Sequence, residues 1–265
     1  MNIYEFMSVG ENEKPLDRIV TDGGFAAIFR TIACIGDSLA SGEFESLKPD
    51  GTKRYHDFYE YSWGQFIARS TGATVYNFSR GGMTAKEYVE EFADKMGFWD
   101  RGKLAQAYII ALGVNDLNRG FEIGTKEDVC LDDYTKNAPT LAGYYARIIQ
   151  QIKELQPRAK IFLVSIPRHD SEKDEQRKVL RDLLEDFTGI FDRTYHIDLY
   201  TYSPVNDSEF TKTFRLGHFT PAGYVLVARM IESYIDYIIR KKPEDFAEVG
   251  FIGTDLCYKE KIKED

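Results

Sequence analysis

Five short apolar runs, each followed by a stretch of helical periodicity, limit the folds open to this chain more than any other feature. The runs cover 31–35, 73–77, 107–112, 160–166 and 194–198, and they are rich in Ile, Val, Phe and Tyr. Their nearly continuous apolar character is that of strands covered on both faces. Between them, Thr84-Ala85-Lys86-Glu87 reads as a capping box that opens a helix running to about 98. Leu141, Tyr145, Ile148, Ile152 and Leu155 recur at helical spacing, and Pro157 stops that helix. Leu180, Leu183, Leu184 and Phe187 repeat the pattern after a polar start at Ser171. Thr220-Pro221 reads as an N-cap with proline at the first helical position, followed by the stripe Val225, Ala228, Ile231, Ile235 and Ile238. Alternation of this kind implies a parallel sheet with right-handed crossovers. In such sheets ligands collect outside the carboxyl ends of the strands.

With 265 residues, 43% of them hydrophobic, the chain can bury a substantial core, and it reads as one domain spanning 1–265. The repeating core covers about 31–240, with an N-terminal extension 1–30 and a tail 241–265. Phe246, Val249, Phe251 and Ile252 should pack the tail onto the domain, whereas the mostly charged 259–265 has the composition of a disordered end. The net charge of −9 leaves no basic stripe to neutralise phosphates, which argues against nucleic acid or an anionic membrane as partner. No apolar run approaches the roughly 20 residues that span a bilayer. The segment Met1 to Met7 lacks the basic and apolar regions of a signal peptide. Cys34, Cys130 and Cys257 are widely spaced without a CxxC pair, and Cys34 reads as a small buried hydrophobe. These features together predict a reduced, cytoplasmic protein. No metal site is implied. The alternating pattern alone would also fit a nucleotide-binding protein, but neither GxGxxG nor a P-loop occurs, so no cofactor is expected.

Four blocks carry the chemistry. Ser38 lies in Gly36-Asp37-Ser38-Leu39 directly after the first apolar run, at a tight turn that Gly36 permits. Gly82 lies in Asn77-Phe78-Ser79-Arg80-Gly81-Gly82-Met83-Thr84 after the second, and Asn115 in Gly113-Val114-Asn115-Asp116 after the third. His218 opens His218-Phe219-Thr220-Pro221-Ala222-Gly223-Tyr224. In this order the blocks resemble the SGNH (GDSL-type) hydrolases over residues 31 to 240. That resemblance implies a flavodoxin-like, three-layer α/β/α sandwich around a five-stranded parallel sheet. It also implies a serine esterase with Ser38 as nucleophile and His218 as general base. The oxyanion would be bound by the backbone N–H groups of Ser38 and Gly82 and by the Asn115 amide. Gly81 competes with Gly82, which better fits the family spacing from Asn77 to Thr84.

One position departs from the family. An aspartate usually stands three residues before the histidine, and here that position is Arg215. Two routes are open: a backbone carbonyl near Arg215 completing a Ser–His dyad, or Asp207 or Glu209 folding back to supply a carboxylate. Asp37 and Asp116 read as loop-holding acceptors of backbone N–H groups. Arg80 reads as a surface-paired cation. His56 is placed before a helix, His169 in a polar loop and His196 in the fifth strand beside Asp198, each as a structural histidine. Tyr55, Tyr59, Tyr61 and Trp63 read either as helix core or as a platform for a sugar ring. The expected substrate is a small acyl ester, with acetyl on a carbohydrate foremost. A lysophospholipase or thioesterase, or a glycan-binding domain on the same scaffold, is the alternative.

Overall fold

Side chains alternate across five parallel strands, and that alternation builds two cores. In a computed structural model describing residues 7–169, 171–252 and 254, the sheet consists of β1 (Thr31–Gly36), β4 (Thr74–Ser79), β5 (Ala107–Ala111), β6 (Lys160–Val164) and β7 (Thr194–Ile197). β2 (Glu43–Leu47) and β3 (Lys53–Asp57) form a separate antiparallel hairpin. The strand order is β4-β1-β5-β6-β7, every pairing parallel. Counted along the chain this is 2-1-3-4-5, the flavodoxin-like order. Met1 to Phe6, Cys257 and the charged end 259–265 lie outside the described residues.

Ala33, Ile35, Tyr108, Ile110, Ile161 and Leu163 face one core, while Ile32, Cys34, Ile109, Phe162 and Val164 face the other. The first is covered by α3 (Leu141–Leu155), α4 (Asp174–Ile190) and the helical segment after Thr84. The second is covered by α2 (Trp63–Thr71), α6 (Pro221–Lys241) and a 3-10 turn at Gly24–Ile28. The result is the three-layer sandwich.

The helix signals hold with shifted ends. Thr84 and Glu87 form the capping box, but the segment passes through a π-helical turn at Tyr88–Phe92 and ends at Lys95. Gly97 turns left-handed at φ 62°, so that Phe98 folds back to stack on Phe78. The helix expected to run to about 98 therefore stops short of it. α4 begins at Asp174, three residues beyond Ser171. Thr220 caps α6 by accepting from the Gly223 N–H, with Pro221 first in the helix.

Both extensions dock on the α6 side. Arg240 reaches Glu13 at 2.6 Å and Asp236 at 2.8 Å, and the Val20 N–H donates to Ser233 Oγ. Phe246 is buried against Phe162 and Tyr195, and Val249 packs beside it. Among the described residues no helix is long and apolar enough to cross a membrane. Phe162 joins strand, extension and tail, with Phe29, Tyr195 and Phe246 around its ring. Phe162→Ala is therefore expected to cost about 3–5 kcal/mol, measured by denaturant unfolding.

Candidate active site

Strand register brings the candidate residues together. Gly36 stands opposite Ser79 on one side and Ala111 on the other, so β1, β4 and β5 end level. Ser38 follows the first strand, Gly82 the second and Asn115 the third. Asp37 caps α1 (Ser38–Ser41), its carboxylate accepting from the Leu39 N–H at 2.9 Å. Gly82 sits at φ 73°, where a glycine is needed, and its carbonyl accepts from Arg119, which is also paired with Glu87 at 2.8 Å. Among the described residues neither the Ser38 nor the Gly82 backbone N–H has a partner. The Asn115 amide donates to the Met83 carbonyl at 3.1 Å and to Asp37 Oδ2 at 3.3 Å. Asp116, fully buried, accepts from the Ala85 N–H at 3.1 Å and so fastens the Gly82 loop to the Asn115 turn. Both aspartates hold loops, as their sequence positions implied. Burial pushes Asp37 up to about 7 and Asp116 up to about 6.

The orientation of His218 is the main correction to the sequence reading. Its Nδ1 lies 2.8 Å from Glu45 Oε1, on β2, 173 residues upstream. Neither a backbone carbonyl near Arg215 nor Asp207 or Glu209 takes that role. Asp207 instead caps the helix Ser208–Phe214, accepting from the Glu209 and Phe210 N–H groups. The Arg215 guanidinium turns away to donate to the Gly217 carbonyl and to lie over the Phe219 ring. Glu45 is fixed from its other oxygen by Lys53 of β3 at 2.7 Å. Gly217, at φ 78°, gives it room, because a Cβ there would collide with the Glu45 carboxylate.

The second nitrogen of His218 also meets a carboxylate. Nε2 lies 3.1 Å from Glu43 Oε1, and the Glu43 side chain rests on Gly81, where a Cβ would again collide with it. The two adjacent glycines thus divide their work, Gly81 clearing space for Glu43 and Gly82 presenting its N–H. The Ser38 hydroxyl makes no hydrogen bond among the described residues. Tyr224 ties the Ser38 backbone to this group, its hydroxyl donating to the Glu43 carbonyl at 2.8 Å and lying 3.3 Å from the Ser38 carbonyl. Burial lowers the His218 pKa, Glu45 opposes that, and Arg215 and Lys53 add to it. Glu43 is raised by burial and by Asp57 and Glu45. Glu45 is raised by burial, but its bonds to Lys53 and His218 prevail and leave it lowered.

The sequence reading missed Glu43 and Glu45 because it missed the hairpin that carries them. The signal was present: Pro49-Asp50-Gly51 is a turn sequence, and Gly51 adopts φ 81° between two five-residue strands. His56 accordingly sits in β3, 2.8 Å from Ser46 Oγ, just before the helical turn Tyr59–Tyr61. His196 pairs through Nδ1 with Glu185 at 2.8 Å, and His169 forms a bridge to Asn206. The aromatic stretch divides: Trp63 is buried, Tyr59 and Tyr61 are exposed, and Tyr55 sets its ring edge-on to His218 at 5.8 Å. Arg80 lies over the Phe92 ring. Cys34 is buried and its thiol pKa is raised by burial. Among the described residues no group of three or more His, Cys, Asp or Glu is placed to hold a metal ion.

The model of the GDSL-like lipase/acylhydrolase family matches residues 34–226, well over half of the chain. The chain belongs to that family. Membership makes it an ester hydrolase. Among solved structures, it is similar to a family two carbohydrate esterase from Clostridium thermocellum, in complex with cellohexaose, at 18% identity and a TM-score of 0.56. That match covers 82% of this chain and 65% of the other, so the chain spans about two thirds of the length of that neighbour. A protein from Lactobacillus plantarum matches at 15% identity and TM-score 0.57, over 78% of this chain and 97% of its own. A family three carbohydrate esterase from Clostridium thermocellum matches at 14% and 0.51, over 80% and 97%. These likenesses are likenesses of fold. A comparison with curated proteins gives no match.

In this acylhydrolase, Gly217→Ala is expected to expel Glu45 from His218 and to strain the backbone. His218 would then lose the carboxylate that holds its pKa up. Its titration midpoint, followed by proton NMR, should fall, with a stability loss of about 1 kcal/mol. An unchanged midpoint would show that the Glu45 contact does not control the histidine.

Proposed function

We propose that the protein is a serine esterase that removes small acyl groups, acetyl on a carbohydrate being the substrate class it suits best. The observation that carries the reading is the level ending of β1, β4 and β5, which gathers Ser38, Gly82 and Asn115 at one sheet edge, with His218 tied to the same group through Glu43 and Tyr224. Ser38 Oγ attacks the ester carbonyl as His218 Nε2 takes its proton. The Ser38 and Gly82 N–H groups receive the developing oxyanion, and the Asn115 amide joins them by giving up its longer bond to Asp37. The imidazolium returns its proton to the departing alkoxide, leaving an acyl-serine. A water deprotonated by His218 then releases the acid and restores the serine. Glu45 is a positioning residue: it fixes the tautomer with the proton on Nδ1 and stabilises the imidazolium, the work usually done by an aspartate at the position of Arg215.

Two features support a short acyl group and a polyol alcohol. The apolar cavity beside the nucleophile turn, bordered by Leu39, Ala40, Trp63, Val164 and Leu199, holds about 60 Å³. A long acyl chain needs several times that volume. Tyr55 sets an exposed ring edge-on to His218, and Tyr59 and Tyr61, exposed just beyond the hairpin, add further rings of the kind suited to a sugar. The carbohydrate esterases among the structural neighbours agree with this choice.

The test is hydrolysis of p-nitrophenyl acetate against the octanoate ester. Acetate should be preferred, and Ser38→Ala or His218→Ala should each lower kcat by about 10³-fold or more. Glu45→Ala should lower it by up to about 10⁴-fold. It should also move the acid limb of the pH profile to lower pH, because the histidine loses the group that raises its pKa. Turnover that survives Ser38→Ala would rule out this mechanism.

A further inference from the structure

We infer that Glu43 is a gate on the general base: in the free enzyme it holds the nitrogen of His218 that the Ser38 hydroxyl must engage, and activity requires its departure. The inference rests on the Ser38–His218 esterase reading and adds a residue to which neither the family blocks nor the motif spacing assigns a role.

The argument is one of hydrogen-bond capacity. A neutral imidazole has one N–H donor and one acceptor nitrogen. Nδ1, 2.8 Å from the Glu45 carboxylate, uses the donor. Nε2 is then a lone pair, and it lies 3.1 Å from a Glu43 oxygen. Two lone pairs at that distance repel, so the contact is favourable only when a proton is present, on Glu43 as a carboxylic acid or on His218 as imidazolium. On this reading the two groups gain and lose that proton together. Other groups around the pair set its affinity. Glu45 and Asp57 on the hairpin, with Asp37 at the helix cap, favour retaining the proton, while Lys53 on the hairpin and Arg215 before the histidine favour losing it. Tyr224 from α6 holds the Glu43 backbone and stays neutral, its pKa raised by burial.

Losing that proton to water leaves carboxylate and lone pair facing each other, and the Glu43 side chain must turn away. Gly81 offers no side chain to hold it in place. Nε2 is then free to accept from Ser38 Oγ. A substrate hydroxyl placed over Gly81 would assist by donating to the displaced carboxylate. The backbone at Glu43 is held throughout by Tyr224 and by pairing with Asp57, so the exchange is a side-chain rotation.

The experiment compares wild type, Glu43→Ala and Glu43→Gln for kcat/KM on p-nitrophenyl acetate between about pH 5 and 9. The rate at which a fluorophosphonate labels Ser38 is measured in parallel, and melting curves confirm folding. Glu43→Ala removes the block and should move the acid limb down by about one unit, a gain of about tenfold near pH 6, converging with wild type at high pH. Glu43→Gln keeps a donor on Nε2 at every pH, so it should be slower than wild type across the range, the deficit being largest at high pH. The labelling rates should follow the same order. A folded Glu43→Ala whose profile and labelling overlay those of wild type, or which is slower at every pH, overturns the gate. Failure of the wild type to be labelled at Ser38 at any pH would instead overturn the serine-esterase reading, and the gate with it.

Discussion

The hydrogen-bond ladder around β1 is the constraint on which the site depends. Among the described residues β1 is the only strand paired with both β4 and β5, and its register sets where all three strands leave the sheet. Because parallel strands all run the same way, their carboxyl ends must share an edge, and the turns that follow them must share a small space. Ser38, Gly82 and Asn115 therefore converge without needing long-range contacts between their side chains. Asp37 and Asp116 secure the convergence locally, one capping the first turn of α1 and the other stapling the second turn to the third. A slip of one residue in β1 would exchange the two cores as well as the site, since alternate side chains serve opposite faces.

The histidine side of the site is assembled by different physics. The register of the five-stranded sheet does not deliver His218; it stands in a two-residue strand paired with Arg215–Leu216, between Gly217 and the cap of α6. Its placement comes from charge and from space. Glu45 is held by Lys53 across the hairpin, at a site where Gly217 leaves a vacancy shaped for a carboxylate. The histidine is partly buried, which by itself disfavours its charged form. A general base in an esterase must become cationic in the transition state, so a carboxylate on Nδ1 offsets the cost of burial where the chemistry needs it.

The legibility of the sequence follows this division. The strands, the capping box at Thr84, the N-cap at Thr220 and the residues just after each strand could be read because each signal is local. The resemblance to the family rests on three blocks that follow those strands and on a fourth around His218. The partner of His218 could not be read in the same way. Arg215 announced that the usual acid was missing, but nothing near it in sequence named the replacement, since Glu45 lies 173 residues away. The hairpin is short, half exposed and polar, with a burial pattern that never alternates cleanly along β3. Its one clear mark was the turn sequence Pro49-Asp50-Gly51. The helix after Thr84 ends at Lys95, short of the expected end near 98, because Phe98 is drawn back by stacking on Phe78, a tertiary contact that no local signal names.

The cation at position 215 accounts for one of the two glutamates that surround the histidine. A cation three residues before His218 makes the imidazolium harder to form, an effect that Lys53 compounds. One carboxylate on Nδ1 restores the balance for catalysis. Under the proposed mechanism a second carboxylate on Nε2 is too much: in the free enzyme it would hold the proton that the base should take from serine. An arrangement tuned only for speed would place a neutral or apolar residue at 43. Retaining an acid there, on a glycine that leaves it free to move, gives a site that stays closed until the shared proton leaves or a hydroxyl-bearing substrate draws the carboxylate away. The chain thereby makes the availability of its base depend on what lies beside it, which a triad with a single acid does not do.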